Sequence, residues 1–149
     1  MKNLSQHFAA LAVALWVGSL FAIGYLAVPV LFYVQPDKQL AGMLSGVMLT
    51  KVGYLSIVCG SYLLVQRLGV SGKTALRQIP FWLIAGMLLI ALILQCGLQP
   101  AMADLKKHDI SVGVYADQFR MLHGISSVAY LIECLMGFVL VFKTRGGYA

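Results

Sequence analysis

Charge is what this sequence has least of. Only 11% of its 149 residues are Asp, Glu, Lys or Arg, and just five of those are acidic. A soluble domain normally carries about a quarter charged residues, because its surface must face water; a water-facing surface of ordinary composition is therefore excluded. Cysteine is scarce as well. Cys59, Cys96 and Cys134 all lie in apolar runs, form no CxxC pair and are odd in number, which argues against a complete disulfide framework. Enzyme signatures are missing too, with no phosphate-binding loop, no convincing Ser-His-Asp order and no metalloprotease motif.

What fills the space is hydrophobic residues, 60% of the chain. Four apolar stretches stand out, at residues 4–34, 40–65, 79–103 and 114–142. Each is long enough for a bilayer core, which needs about 20 helical residues. The opening MKNLSQHFAALAVALW has the look of a signal peptide, but a cleavable signal has an apolar core of only about 7–15 residues. This run is far longer and reads as a retained first span. Between spans, VQPDK pairs a helix-ending Pro36 with Asp37 as an N-cap, RLGVSGKTALR carries two glycines and several basic residues, and DLKKHDISVG is mixed in charge.

The net charge of +6 needs no nucleic acid to explain it. Lys2, Arg67, Lys73, Arg77, Lys143 and Arg145 fall on one side of the four spans with no acidic residue, whereas Lys38, Lys106 and Lys107 share the other with Asp37, Asp104 and Asp109. By the positive-inside rule both termini are cytoplasmic. The expected architecture is all-α: one integral membrane domain, residues 1–149, folded as an N-in/C-in four-helix bundle in the bacterial inner membrane.

Polar residues at depth are the candidates for function, since ionisable groups in a membrane are costly and tend to mark sites. At about 1.5 Å per helical residue, Lys51 and Gln95 reach the same depth, with Glu133 nearer the cytoplasm and His123 nearer the outside. Arg120, His123, Ser127, Tyr130 and Glu133 share one face of the last span, opposite Ile125, Val128, Ile132, Leu135 and Val139. The candidate ligand or cofactor residues are accordingly His123, Lys51, Glu133, Arg120, Tyr130 and Gln95. A bland alternative makes Lys51 and Glu133 a buried pair that fixes helix register, with Arg120 snorkelling or pairing with Asp117.

Two cofactors compete with that reading. His123 is a possible axial ligand of haem b, although neither His7 nor His108 shares its depth. Copper suits thioether and imidazole, and His123, Met121 and Met48 are the candidate metal set, within an outer half that also holds Met43, Met102 and His108. Packing features complete the list. Ala14, Gly18 and Ala22, and separately Gly42 and Gly46, form small-residue faces suited to close approach within the bundle or to a homo-oligomer. Pro29 and Pro100 are expected to kink the first and third spans at one depth and so open a pocket.

The run of Trp16, Gly18, Val28-Pro29, Leu31-Phe32, Ala41-Gly42 and Gly46, with Phe119, His123 and Ser126 in the last span, resembles the transmembrane-protein-205-like family along essentially the whole chain. That resemblance implies a four-helix membrane protein without an established activity. A more distant similarity, to copper-resistance D-type proteins and the HemJ-type protoporphyrinogen oxidase, implies copper or haem at the level of fold alone. The function expected is non-enzymatic binding of a ligand, ion or cofactor at a polar intramembrane site. The alternatives are a haem-dependent oxidoreductase and the handling of copper or a toxic cation.

Overall fold

The computed structural model describes residues 2–105 and 113–145. Lys106, Lys107, His108 and Asp109, between the third and fourth spans in sequence, lie outside them. The chain is an all-α four-helix bundle. Its helices Leu4–Val34, Lys38–Arg77, Ile79–Leu105 and Val114–Thr144 are each long and apolar enough to cross a membrane. They pack as a ring, each span against the next and the fourth against the first. Only 22–28% of each apolar window is buried within the protein, so most of the apolar surface needs lipid around it.

The hairpin ends follow from local chemistry. Asp37 accepts from the backbone N–H groups of Gln39 (2.9 Å) and Leu40 (3.1 Å), capping the second span. Lys38 then turns back and donates to the carbonyls of Phe32 (2.5 Å) and Gln35 (3.3 Å), closing the end of the first. One boundary differs from expectation. The second helix does not stop near Val65 but continues to Ser71, and a 3₁₀ turn over Gly72–Arg77 leads into the third. Polar residues end an apolar run without ending a helix; the break comes where Gly72 takes a φ of +54°, a conformation open to glycine.

Pro29 and Pro100 act in the same way. Each follows a six-residue π-helical turn and one further residue: Ala22–Ala27 then Val28 before Pro29, and Ile93–Leu98 then Gln99 before Pro100. A proline has no N–H for the carbonyl four residues back, and its ring crowds that carbonyl. The widened turn relieves both problems by passing the preceding N–H one residue further, from Val28 to Ile23 and from Gln99 to Leu94. The first and third spans are thus broken alike.

Before these turns the core is apolar and close-packed, centred on Trp16, Leu20, Leu63, Ile84, Met87 and Leu140. Glycines set the helix separation. A Cβ at Gly60 would meet the Trp16 ring at 2.9 Å, and one at Gly137 would meet Met87 and Val17 at 3.1 Å. Of the small-residue faces, Gly42 packs on Phe32, while Ala14, Gly18 and Ala22 are exposed on the outside of the bundle. Packing inside the bundle therefore rests on other glycines than those of the first-span stripe. Gly60→Ile is expected to lower the midpoint of unfolding in mixed detergent by the equivalent of about 1–3 kcal/mol, the usual cost of overpacking. Gly18→Ile, with nothing within 4 Å of its Cβ, should leave that midpoint almost unchanged.

Candidate functional site

The two widened turns face a cavity of about 260 Å³ enclosed by all four spans. Gly24, Tyr25 and Val28 line it from the first span, and Leu94, Gln95 and Gln99 from the third. The pocket expected from Pro29 and Pro100 is present where they are, created by the residues just before each proline. On the fourth span the wall runs from His123 through Ser127 and Tyr130 to Glu133. His123 and Ser127 are exposed at one end; Glu133 and Ser56, each 1% exposed, lie at the other. One side of the cavity is oxygen-rich, while Leu20, Leu49, Val52 and Ala91 keep the rest apolar.

At the buried end the Trp16 indole Nε1 donates to Glu133 Oε1 at 3.3 Å. Trp16 is fully buried, and a buried indole N–H needs an acceptor. Among the described residues Glu133 is the one acidic residue that lies away from the span ends. The buried Ser56 hydroxyl lies on the same wall beside the Glu133 carboxylate, without a hydrogen bond of full geometry to it. Midway, the Tyr130 hydroxyl donates to the Leu20 carbonyl at 2.6 Å, and its ring lies where a Cβ at Gly24 would stand. Gln95 fills the matching space at Gly53 on the second span. Both glycines let a polar side chain cross the bundle where any larger residue would push it out.

Of the residues singled out by sequence, His123, Glu133, Tyr130 and Gln95 therefore share one cavity. Lys51 does not: it is exposed on the outside of the second span and forms no pair with Glu133. Its helix turns Val52, Ser56, Cys59 and Leu63 inward, and Lys51 sits about 100° round from Val52. Arg120 also stands off the wall, exposed and paired with Asp117 at 2.9 Å. The metal set is not assembled. Met121 is 60% exposed and Met48 lies off the cavity wall, so Met102 is the thioether that shares the wall with His123. Among the described residues no three His, Cys, Asp or Glu side chains gather as metal ligands.

Sequence reading missed Trp16 as a polar partner, along with Ser56 and Gln99. Only Trp16 left a signal, because a deep indole and a deep carboxylate each require a partner. The face opposite the polar stripe came out as expected, with Ile125, Val128, Ile132, Leu135 and Val139 all exposed.

A family model described as a domain of unknown function, DUF4149, matches residues 11–110. No curated protein and no solved structure matches the chain. The match takes in the cavity residues of the first three spans and stops short of His123, Tyr130 and Glu133.

Trp16→Phe removes the indole donor from the buried Glu133 carboxylate, with an expected loss of about 1–3 kcal/mol in the same detergent unfolding assay. The double variant Trp16→Phe/Glu133→Met removes both polar partners. It should recover most of that loss, and a strictly additive double variant would show that the bond does not matter.

Proposed function

The chain belongs to the DUF4149 family of unknown function, and we propose that it is a non-enzymatic, multi-pass membrane protein that binds a small cation in the cavity between its helices. One observation carries this reading. A fully buried carboxylate with a serine hydroxyl beside it lies on the wall of a cavity where, among the described residues, no Lys or Arg side chain is present to neutralise it. Gln95, Gln99 and Tyr130 add oxygen acceptors further up, and Tyr25 and Tyr130 offer ring faces suited to an organic cation. The toxic-cation alternative falls within this reading. So does the resemblance to transmembrane-protein-205-like proteins, two of whose segment residues, His123 and Ser126, line the cavity.

Haem and copper are supported less well. The volume of about 260 Å³ lies below the ~300–1,000 Å³ usual for drug-sized ligands, so a porphyrin does not fit without the bundle opening. Among the described residues His123 is the one imidazole on the cavity wall, and Met102 is the one thioether there beside it. In orientation, the basic ends of the spans face the cytoplasm, and the inner membrane of a bacterium is the setting that suits the charge pattern.

In the Trp82→Phe protein Trp16 is the one remaining tryptophan and reports on the Glu133 end of the cavity. Titration with sodium, potassium and tetramethylammonium chloride should give a saturable change of its emission with at least one of the three, absent in Glu133→Gln. Flat titrations with all three overturn the cation reading. A Soret band in the purified protein, lost in His123→Ala, would replace it with haem. For orientation, Lys73→Cys should be closed to a membrane-impermeant thiol reagent added from outside, and labelling there would reverse the topology.

A further inference from the structure

A second concavity lies at the opposite end of the bundle, remote from Glu133 and independent of the cation site. It is an open groove of about 650 Å³ where the ends of all four spans meet the 3₁₀ turn. Arg67, Arg77 and Lys143 line it together. They come from the second span, the turn after it and the fourth span, so sequence neighbourhood does not bring them there.

Among the described residues no acidic side chain lines the groove with them; Asp37, Asp104 and Asp117 stand at the opposite ends of the spans and Glu133 is buried on the wall of the other cavity. Helix-end electrostatics accounts for Arg67 and Lys143 singly, since cations suit the C-terminal ends of helices. It does not account for the convergence on one groove of these two with Arg77, the last residue of the short 3₁₀ turn. Arg67 is already held, its guanidinium donating to Gln78 Oε1 at 3.3 Å. The groove is thus a cationic cradle, partly ordered before any ligand arrives.

The rim defines what kind of anion fits. Val70 and Ile79 line the groove and are largely exposed, so its edge runs into the surface that faces acyl chains. Trp82, 62% exposed, donates its indole N–H to the Leu76 carbonyl at 2.9 Å and marks the interfacial level. Three cations beside an apolar rim at the membrane interface match a phosphate that carries hydrocarbon chains. We infer that this groove binds the headgroup of an anionic phospholipid, with the phosphodiester between Arg67, Arg77 and Lys143 and the chains leaving past Val70 and Ile79. Basic pockets between transmembrane helices on the cytoplasmic side are suited to such headgroups.

Native mass spectrometry of the full chain in detergent tests this, with added phosphatidylglycerol compared against phosphatidylcholine of the same acyl chains. Wild type should retain phosphatidylglycerol preferentially. Retention should fall about fivefold for each cation removed and be nearly abolished in Arg67→Gln/Arg77→Gln/Lys143→Gln. Lys73→Gln removes a charge from the same end but outside the groove, and it should behave as wild type. If the triple variant loses its helical circular dichroism, the single variant Arg77→Gln carries the test, since Arg77 is exposed. Equal retention of the two lipids overturns the inference. So does unchanged retention in the folded groove variants, or an effect of Lys73→Gln as large as theirs. Displacement of phosphatidylglycerol by inorganic phosphate at equal concentration would assign the cradle to a soluble anion and overturn the lipid assignment.

Discussion

The hydrogen bond from the Trp16 indole to the Glu133 carboxylate settles how the first and fourth spans face each other. A carboxylate turned toward hydrocarbon has neither water nor a donor, and the cost is at least several kcal/mol. The fourth helix must therefore rotate until Glu133 points inward, and once there it needs a donor at its own depth. Trp16 supplies one and fills the core with its ring, packed on Gly60 of the second span. The same rotation carries Tyr130 and His123 to the interior side and sends Ile125, Val128 and Ile132 outward. One polar contact thus orders an otherwise greasy set of helices whose apolar faces are nearly interchangeable.

The prolines explain why there is a cavity above that contact instead of more core. In lipid, each backbone carbonyl must find a donor within the protein. Pro29 and Pro100 each take one away, and the chain answers with a wider turn that keeps its hydrogen bonds at the expense of close packing. Side chains then reach into the space. Tyr130 crosses to the Leu20 carbonyl over Gly24, and Gln95 crosses to the second span over Gly53. The glycines and the prolines are parts of one arrangement, the first admitting polar groups into the room that the second create.

Much of the fold could be read from the residues because lipid imposes simple rules. Four long apolar runs, their hairpin ends and the Asp37 cap follow from length, charge and capping chemistry. Depth was legible as well: Gln95 meets the second span at Gly53, two residues from the Lys51 level to which counting assigned it. Rotation about the helix axis was legible only where polar residues were numerous enough to form a stripe, as on the fourth span. The second span is apolar nearly all round, with no amphipathic signal to say which side is inward, and so Lys51 was assigned to the interior when it lies outside. Ser56 was invisible for the same reason. A serine in a membrane helix usually bonds back to its own backbone, as Ser45 does to Gly42, and only the packed structure shows that Ser56 does not.

The matched turns in the first and third spans also divide the molecule mechanically. Beyond them the helices continue as Val28–Val34 and Gln99–Leu105, two short segments of seven residues each. Before them the chain is locked by Trp16, Ile84 and Met87, all without exposure. A π-helical turn is the natural place for a helix to change pitch or direction, because its hydrogen bonds can shift by one residue without being lost. The two turns thus separate a short pair of helical segments from the closely packed floor around Trp16 and Glu133. The turns that open the cavity and the tryptophan–glutamate contact that floors it belong to different parts of the chain.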